Sequence, residues 1–161
     1  MNTADRSVEA LDTALRRRFT FIEMPPKYDL PELENEITDG ISLKMIMRTL
    51  NIRIEKLLDK DHLIGHSYFL TVDNLENLKQ VFHQNIIPLL QEYFYGDFAK
   101  IGLVLGEAFF EKSDISKKSI FAKFTHDAEE ELNEKPIYRL KQTWTEGEFE
   151  KAIEELVNPK P

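Results

Sequence analysis

The residues with the most chemical capacity lie at two places in this 161-residue chain. The first is the opening run Met1-Asn2-Thr3-Ala4-Asp5-Arg6-Ser7, followed soon after by Arg16-Arg17-Arg18. It sets an amide, a carboxylate and several guanidinium groups close together. Met1 to Asp5 reads as the end of a strand whose polar tip faces a ligand. The second place is Asp61 to Leu70, which holds His62, His66 and Ser67. Histidines four apart on a helix could share a metal. Gly65 stands between them and an acidic partner is missing, so no metal site is expected. The plain reading of this segment is that His66 hydrogen-bonds the backbone while Tyr68 and Phe69 anchor a core.

Two features that triphosphate hydrolysis requires are missing from the sequence. A phosphate-cradling loop has the pattern G-x-x-x-x-G-K-[ST], and none of the six glycines is followed by lysine. An acidic pair at a strand end holds Mg²⁺ and orients water, and no Asp-Glu dipeptide occurs. The chain therefore cannot carry a complete site for that chemistry. Composition narrows the field further. A formal charge of −8 argues against a stand-alone nucleic-acid binder, which would show a basic face. Without cysteine, disulfides and thiolate metal sites are impossible. No apolar run reaches membrane-spanning length, no signal peptide is visible, and a soluble cytoplasmic protein is expected.

The elements that must position these residues follow from periodicity. Ser7 can cap a short helix whose apolar face is Val8, Leu11, Ala14 and Leu15. Arg16 to Arg18 close that helix, where cations suit the negative end of its dipole. Phe19 to Met24 reads as a strand ended by Pro25-Pro26. Pro25 to Gly40, with Pro31 and the acidic Glu32, Glu34 and Glu36, reads as a connector with one helical turn after Asp29. Ser42–Lys60 is a helix with Leu43, Ile46, Leu50, Ile54, Leu57 and Leu58 on one stripe. Asp73–Tyr95 is a second, capped by Asp73 or Asn74 and kinked at Pro88. Asp97 or Phe98 to Leu105 is a third, ended by Gly106. Three such helices make a small bundle, with Leu50, Ile54, Leu57, Val81, Phe82, Ile86, Leu89 and Leu90 buried in it. Beyond Gly106, Ser119–Phe124 and Ile137–Leu140 read as a β-hairpin around an acidic turn. The last helix is announced by a capping box, Thr145 with Glu148, and a hydrophobic staple, Trp144 with Phe149.

The string Met-Asn-Thr-Ala-Asp-Arg-Ser with Leu-Asp-x-Ala-Leu-Arg-Arg-Arg-Phe resembles the McrB-type branch of the AAA+ ATPases, GTP-hydrolysing motors of modification-dependent restriction systems. Ile64-Gly65-His66-Ser67-Tyr68-Phe69 and Ile87-Pro88-Leu89-Leu90-Gln91-Glu92-Tyr93-Phe94 resemble the same family. The resemblance implies a mainly α fold: a helical lid bundle, a residual helix–strand of the AAA+ core, and a C-terminal β-hairpin plus helix. It divides the chain into the end of the core (1–26), a linker (27–41), the lid (42–106) and an extension (107–161). The chain would be the C-terminal portion of a longer protein, starting just after its magnesium-binding strand.

The family pattern also implies roles. Asn2 would orient the attacking water, since an amide there does not compete for its proton. Asp5 and Arg6 would support that edge or a subunit contact. Arg17 and Arg18 would reach the γ-phosphate held by the next subunit and stabilise charge on its oxygens. His66 and Ser67 would lie near nucleotide or an adjoining subunit. The longer protein would bind GTP or ATP with Mg²⁺, form an oligomer such as a hexamer, and work with a nuclease subunit on DNA. This chain alone would bind no cofactor and hydrolyse nothing. Simpler readings remain: loop capping for Asn2 and Asp5, helix-end charge for the arginines. Two other functions also remain, a stand-alone helical interaction module without hydrolysis and a MoxR-like AAA+ chaperone fragment.

Overall fold

Ser42 starts the first long helix. Its own backbone is extended, and its hydroxyl accepts the Met45 backbone N–H at 3.4 Å, which satisfies one orphan donor of the first turn. This is a computed structural model, and it describes Arg18, Thr20 and residues 22–111, 136–145 and 147–159. Asn2, Asp5, Arg6, Arg17, the helix expected after Ser7 and the strand expected at Ser119–Phe124 lie outside the described residues.

Helix α1 spans Leu43–Leu57 and buries Leu43, Ile46, Met47, Leu50 and Ile54 on one face. Leu57 and Leu58, expected on that stripe, are only half-buried where the helix ends. Just before α1, strands β1 (Glu36–Thr38) and β2 (Ile41–Ser42) pair antiparallel. The turn between them uses Gly40 at φ +72, a conformation that glycine adopts at little cost. Its N–H donates to the Glu36 carboxylate. The one-turn expectation after Asp29 holds as a 3₁₀ turn at Pro31–Glu34, which buries Leu33. The strand expected over Phe19–Met24 is corrected in part. Thr20 and Ile22 to Met24 lie in no strand, and neither described sheet includes them.

The second long helix is interrupted midway by a π turn. Asn74 caps it by accepting the Asn77 N–H at 2.9 Å. It runs as α2 (Leu75–Val81), a π turn (Phe82–Ile86) and α3 (Ile87–Tyr93). Leu78, Phe82, Ile86, Leu90 and Phe94 are all buried, and they repeat every four residues. In a pure α-helix each such step drifts by about 40° around the axis. The wider π turn takes up much of that drift and keeps the stripe on the core. Pro88 explains its place: it has no N–H to donate one turn back. The Ile87 N–H bonds instead to the Phe82 carbonyl, five residues back. The disruption expected at Pro88 is thus a π turn, and Val81 and Leu89 are half-buried rather than buried.

Helix α4 spans Phe98–Leu105, with the Asp97 carboxylate accepting the Lys100 N–H at 3.2 Å. Gly106, at φ +96, ends it. Gly102 lies inside α4, where a Cβ would stand 3.6 Å from the Phe110 ring, an ordinary contact. Gly102→Ala is therefore expected to stabilise the fold by about 0.5–1 kcal/mol, since alanine has less freedom to lose on entering a helix. A urea midpoint lower than that of the unsubstituted chain would contradict this.

After α4 the chain forms strand β3 (Phe110–Glu111), which pairs antiparallel with β4 (Arg139–Leu140). The returning strand expected at Ile137–Leu140 is thus shorter, and its partner is Phe110–Glu111. Pairing there covers the buried Phe110 and Leu140 together. Helix α5 spans Glu148–Val157. Half of the expected capping box forms: the Thr145 backbone N–H donates to Glu148 Oε2 at 2.8 Å. Hydrogen bonding from Thr145, its side chain foremost and then its backbone N–H, lowers the Glu148 carboxyl's pKa. The residue directly before the helix is Gly147, at φ +76, rather than Thr145. The staple is present, with the Trp144 and Phe149 rings edge to face at 5.3 Å.

One hydrophobic cluster joins all these parts, from Leu33 through the bundle to Leu156. Arg53, on the flank of α1, donates to the Val104 carbonyl at 2.6 Å and to the Leu156 carbonyl at 2.7 Å. These carbonyls end α4 and α5, where a cation suits both helix dipoles. Burial lowers the Arg53 pKa, yet a guanidinium stays charged. Thr38 donates to Glu150 at 2.6 Å, linking β1 to α5.

Candidate functional site

The connector before β1 is gripped by α1 and by the loop that follows α1. Lys44 reaches back to Glu34 at 2.6 Å and Asp29 at 3.2 Å. Those two carboxylates, Glu34 foremost, raise its pKa. The Arg48 guanidinium lies over the Tyr28 ring, 5.1 Å from its centre, a favourable cation–π placement. Lys60 pairs with Glu23 at 2.9 Å. Such exposed ion pairs contribute little singly. The buried contact beneath them matters more.

That contact is Asn51, only 2% exposed on the otherwise apolar face of α1. Its Nδ2 donates to Tyr28 Oη at 2.9 Å and to the Ile64 carbonyl at 3.0 Å. Its Oδ1 accepts the Ile64 N–H at 2.7 Å. Both amide hydrogens and the oxygen are used, so the group is satisfied despite its burial. The amide pairs with Ile64 much as a neighbouring strand would, and so fixes the path of the loop.

The loop then presents the histidines. His66 opens a 3₁₀ turn, His66–Tyr68, and its Nδ1 accepts the Lys27 backbone N–H at 3.2 Å. Ser67 is exposed beside it, Tyr68 is half-buried and Phe69 is fully buried. The plain expectation for this segment, a backbone bond from His66 with aromatic anchors behind, describes the geometry. His62 does not join His66. It bonds Asp59 Oδ1 at 2.7 Å and stands edge-on to the Tyr93 ring at 4.9 Å. The bond from His62 lowers the Asp59 carboxyl's pKa. Among the described residues no group of three or more possible metal ligands forms. Arg18 is exposed at a turn.

Sequence reasoning missed Asn51, Tyr28 and Lys27. A signal for Asn51 was present: a short polar side chain beside Leu50 and three residues before Ile54, next to an apolar stripe. Nothing in the sequence marked the Lys27 backbone as the partner of His66.

Residues 42–102 match the family described as McrB, alpha-helical lid domain, a stretch that takes in α1 to α3 and the first part of α4. The Type IV methyl-directed restriction enzyme EcoKMcrB subunit of Escherichia coli (strain K12) is 40% identical to this chain over 113 residues. That match covers 60% of this chain and 25% of the relative, so the chain spans about a quarter of that protein's length. Among the described residues no helix is long and apolar enough to cross a membrane.

Proposed function

We propose that this chain supplies the lid and the arginine-bearing edge of a McrB-like AAA+ GTPase or ATPase that drives DNA restriction. The observation that carries this reading is the lid itself: residues 42–102 match the McrB lid family, and the arginine-bearing string lies upstream of them in the sequence. In this reading residues 1–26 end the nucleotide-binding core. Asn2 orients the attacking water, and Asp5 and Arg6 brace that edge. Arg17 and Arg18 act on the γ-phosphate bound by the neighbouring subunit. His66 and Ser67 face nucleotide or an adjoining subunit. The nucleotide is GTP or ATP with Mg²⁺, and the assembly is a ring of six or a similar oligomer. A nuclease subunit and DNA complete the cytoplasmic system, with DNA held by other parts of the longer protein.

The reading makes a plain demand of the isolated chain. It has no phosphate-cradling loop and no Asp-Glu pair. Purified and supplied with Mg²⁺ and either GTP or ATP, it should release no phosphate above blank. Robust turnover, resistant to further purification, would contradict the proposed division of labour.

A further inference from the structure

We propose that Asn51, together with Tyr28, is a positioning pair that holds His66 in one neutral tautomer, with its proton on Nε2. A backbone N–H can only donate, so the bond from Lys27 leaves His66 Nδ1 without a proton. The neutral ring then carries its proton at Nε2 and presents a donor there. Among the described residues the His66 ring makes no second hydrogen bond, so none of them claims this donor.

The two partners of the Lys27–His66 bond are held by the same buried amide. Tyr28, directly after Lys27, gives its hydroxyl oxygen to Asn51 Nδ2. Ile64, two residues before His66, is bonded by Asn51 through both its N–H and its carbonyl. Arg48 over the Tyr28 ring presses the connector onto the same helix. One side chain therefore sets the distance between connector and loop, and with it the hydrogen-bond role of His66. A ring fixed this way is suited to an acceptor oxygen, and a phosphate oxygen is the chemical class that fits the nucleotide-facing role. Only this identification of the ligand rests on the function proposed above. The tautomer and its cause stand on the geometry alone.

The test uses the intact chain labelled with ¹⁵N histidine, at a pH where the ring is neutral, without nucleotide. His66 should show a bare Nδ1 and a protonated Nε2 in the two-bond ¹⁵N–¹H spectrum. Tyr28→Phe removes only the hydroxyl and keeps the ring under Arg48. It should convert His66 to a mixture of tautomers and speed exchange of the Lys27 amide by about tenfold, as a local opening becomes easier. Asn51→Ala should do the same more strongly; if it fails to fold, Tyr28→Phe decides. A proton on Nδ1 in the unsubstituted chain, or an unchanged spectrum and exchange rate in Tyr28→Phe, would overturn the proposal. Neither result depends on hydrolysis. His66→Ala that leaves turnover of the longer protein unchanged would instead sink the nucleotide-facing reading and leave the tautomer assignment intact.

Discussion

Replacing Arg17 or Arg18 by alanine in the longer, assembled protein should lower nucleotide turnover by a factor on the order of 10³–10⁵, the range for loss of an arginine finger. The size follows from where charge gathers in phosphoryl transfer. The equatorial oxygens of the γ-phosphoryl group gain negative charge, and an inserted guanidinium meets them with a rigid fork of donors. Arg18 is exposed and makes no ion pair among the described residues. Its loss should leave the fold intact, since exposed side chains contribute little to stability. Nucleotide affinity of the mutant's own site should change little if, as proposed, the arginine acts on the neighbouring subunit's nucleotide. Steady-state phosphate release beside a binding titration separates the two effects. A fall in affinity as large as the fall in rate would mean that the arginine holds nucleotide in its own subunit.

Replacing Phe109 by alanine should destabilise the described fold by about 3–5 kcal/mol, the cost of a large cavity in a packed core. Phe109 is fully buried. Its ring stacks on Phe82 at 5.5 Å and meets Trp144 at 5.2 Å and Phe149 at 6.2 Å, both nearly at right angles. It therefore joins the π turn of the second long helix to the start of α5, and these arrangements are favourable for aromatic pairs. Leu103→Ala is the control. That residue is 65% exposed, and its truncation should stay within about 0.5 kcal/mol. Denaturant unfolding measures both. A loss below about 1 kcal/mol for Phe109→Ala would mean that the C-terminal helix does not share the bundle's core.

The three bundle helices were legible because each carries both a period and a cap. Ser42, Asn74 and Asp97 sit where a side-chain oxygen can take an orphan N–H, and all three do so. Burial was legible where the stripe lies mid-helix, as at Leu50, Ile54, Phe82, Ile86 and Leu90. It failed at Leu57, Val81 and Leu89, which lie at a helix end or at the edges of the stripe. Periodicity gives the direction of a face but not what covers its margins. The short strands were harder. β1 and β2 are three and two residues long, too short for alternation to register. The pairing of Phe110–Glu111 with Arg139–Leu140 joins residues far apart in sequence, which no local pattern encodes. At the candidate site, the bond between His66 and the backbone was within reach of sequence reasoning. Its partner, Lys27, was not, because a main-chain donor leaves no trace in residue type. Asn51 could have been read as a buried polar group in need of partners; which partners it has is a matter of tertiary packing.

The central claim is that arginines of one subunit complete the nucleotide site of the next, across an interface that this chain helps to build. Mixing two inactive variants of the longer protein tests it most directly. One variant carries Arg17→Ala and Arg18→Ala; the other has its phosphate-loop lysine changed. In mixed rings some interfaces pair an intact nucleotide site with intact arginines, and phosphate release should partly recover. Mixed rings that assemble normally and yet show no recovery would contradict the claim, placing these arginines in their own subunit's site or at a helix end.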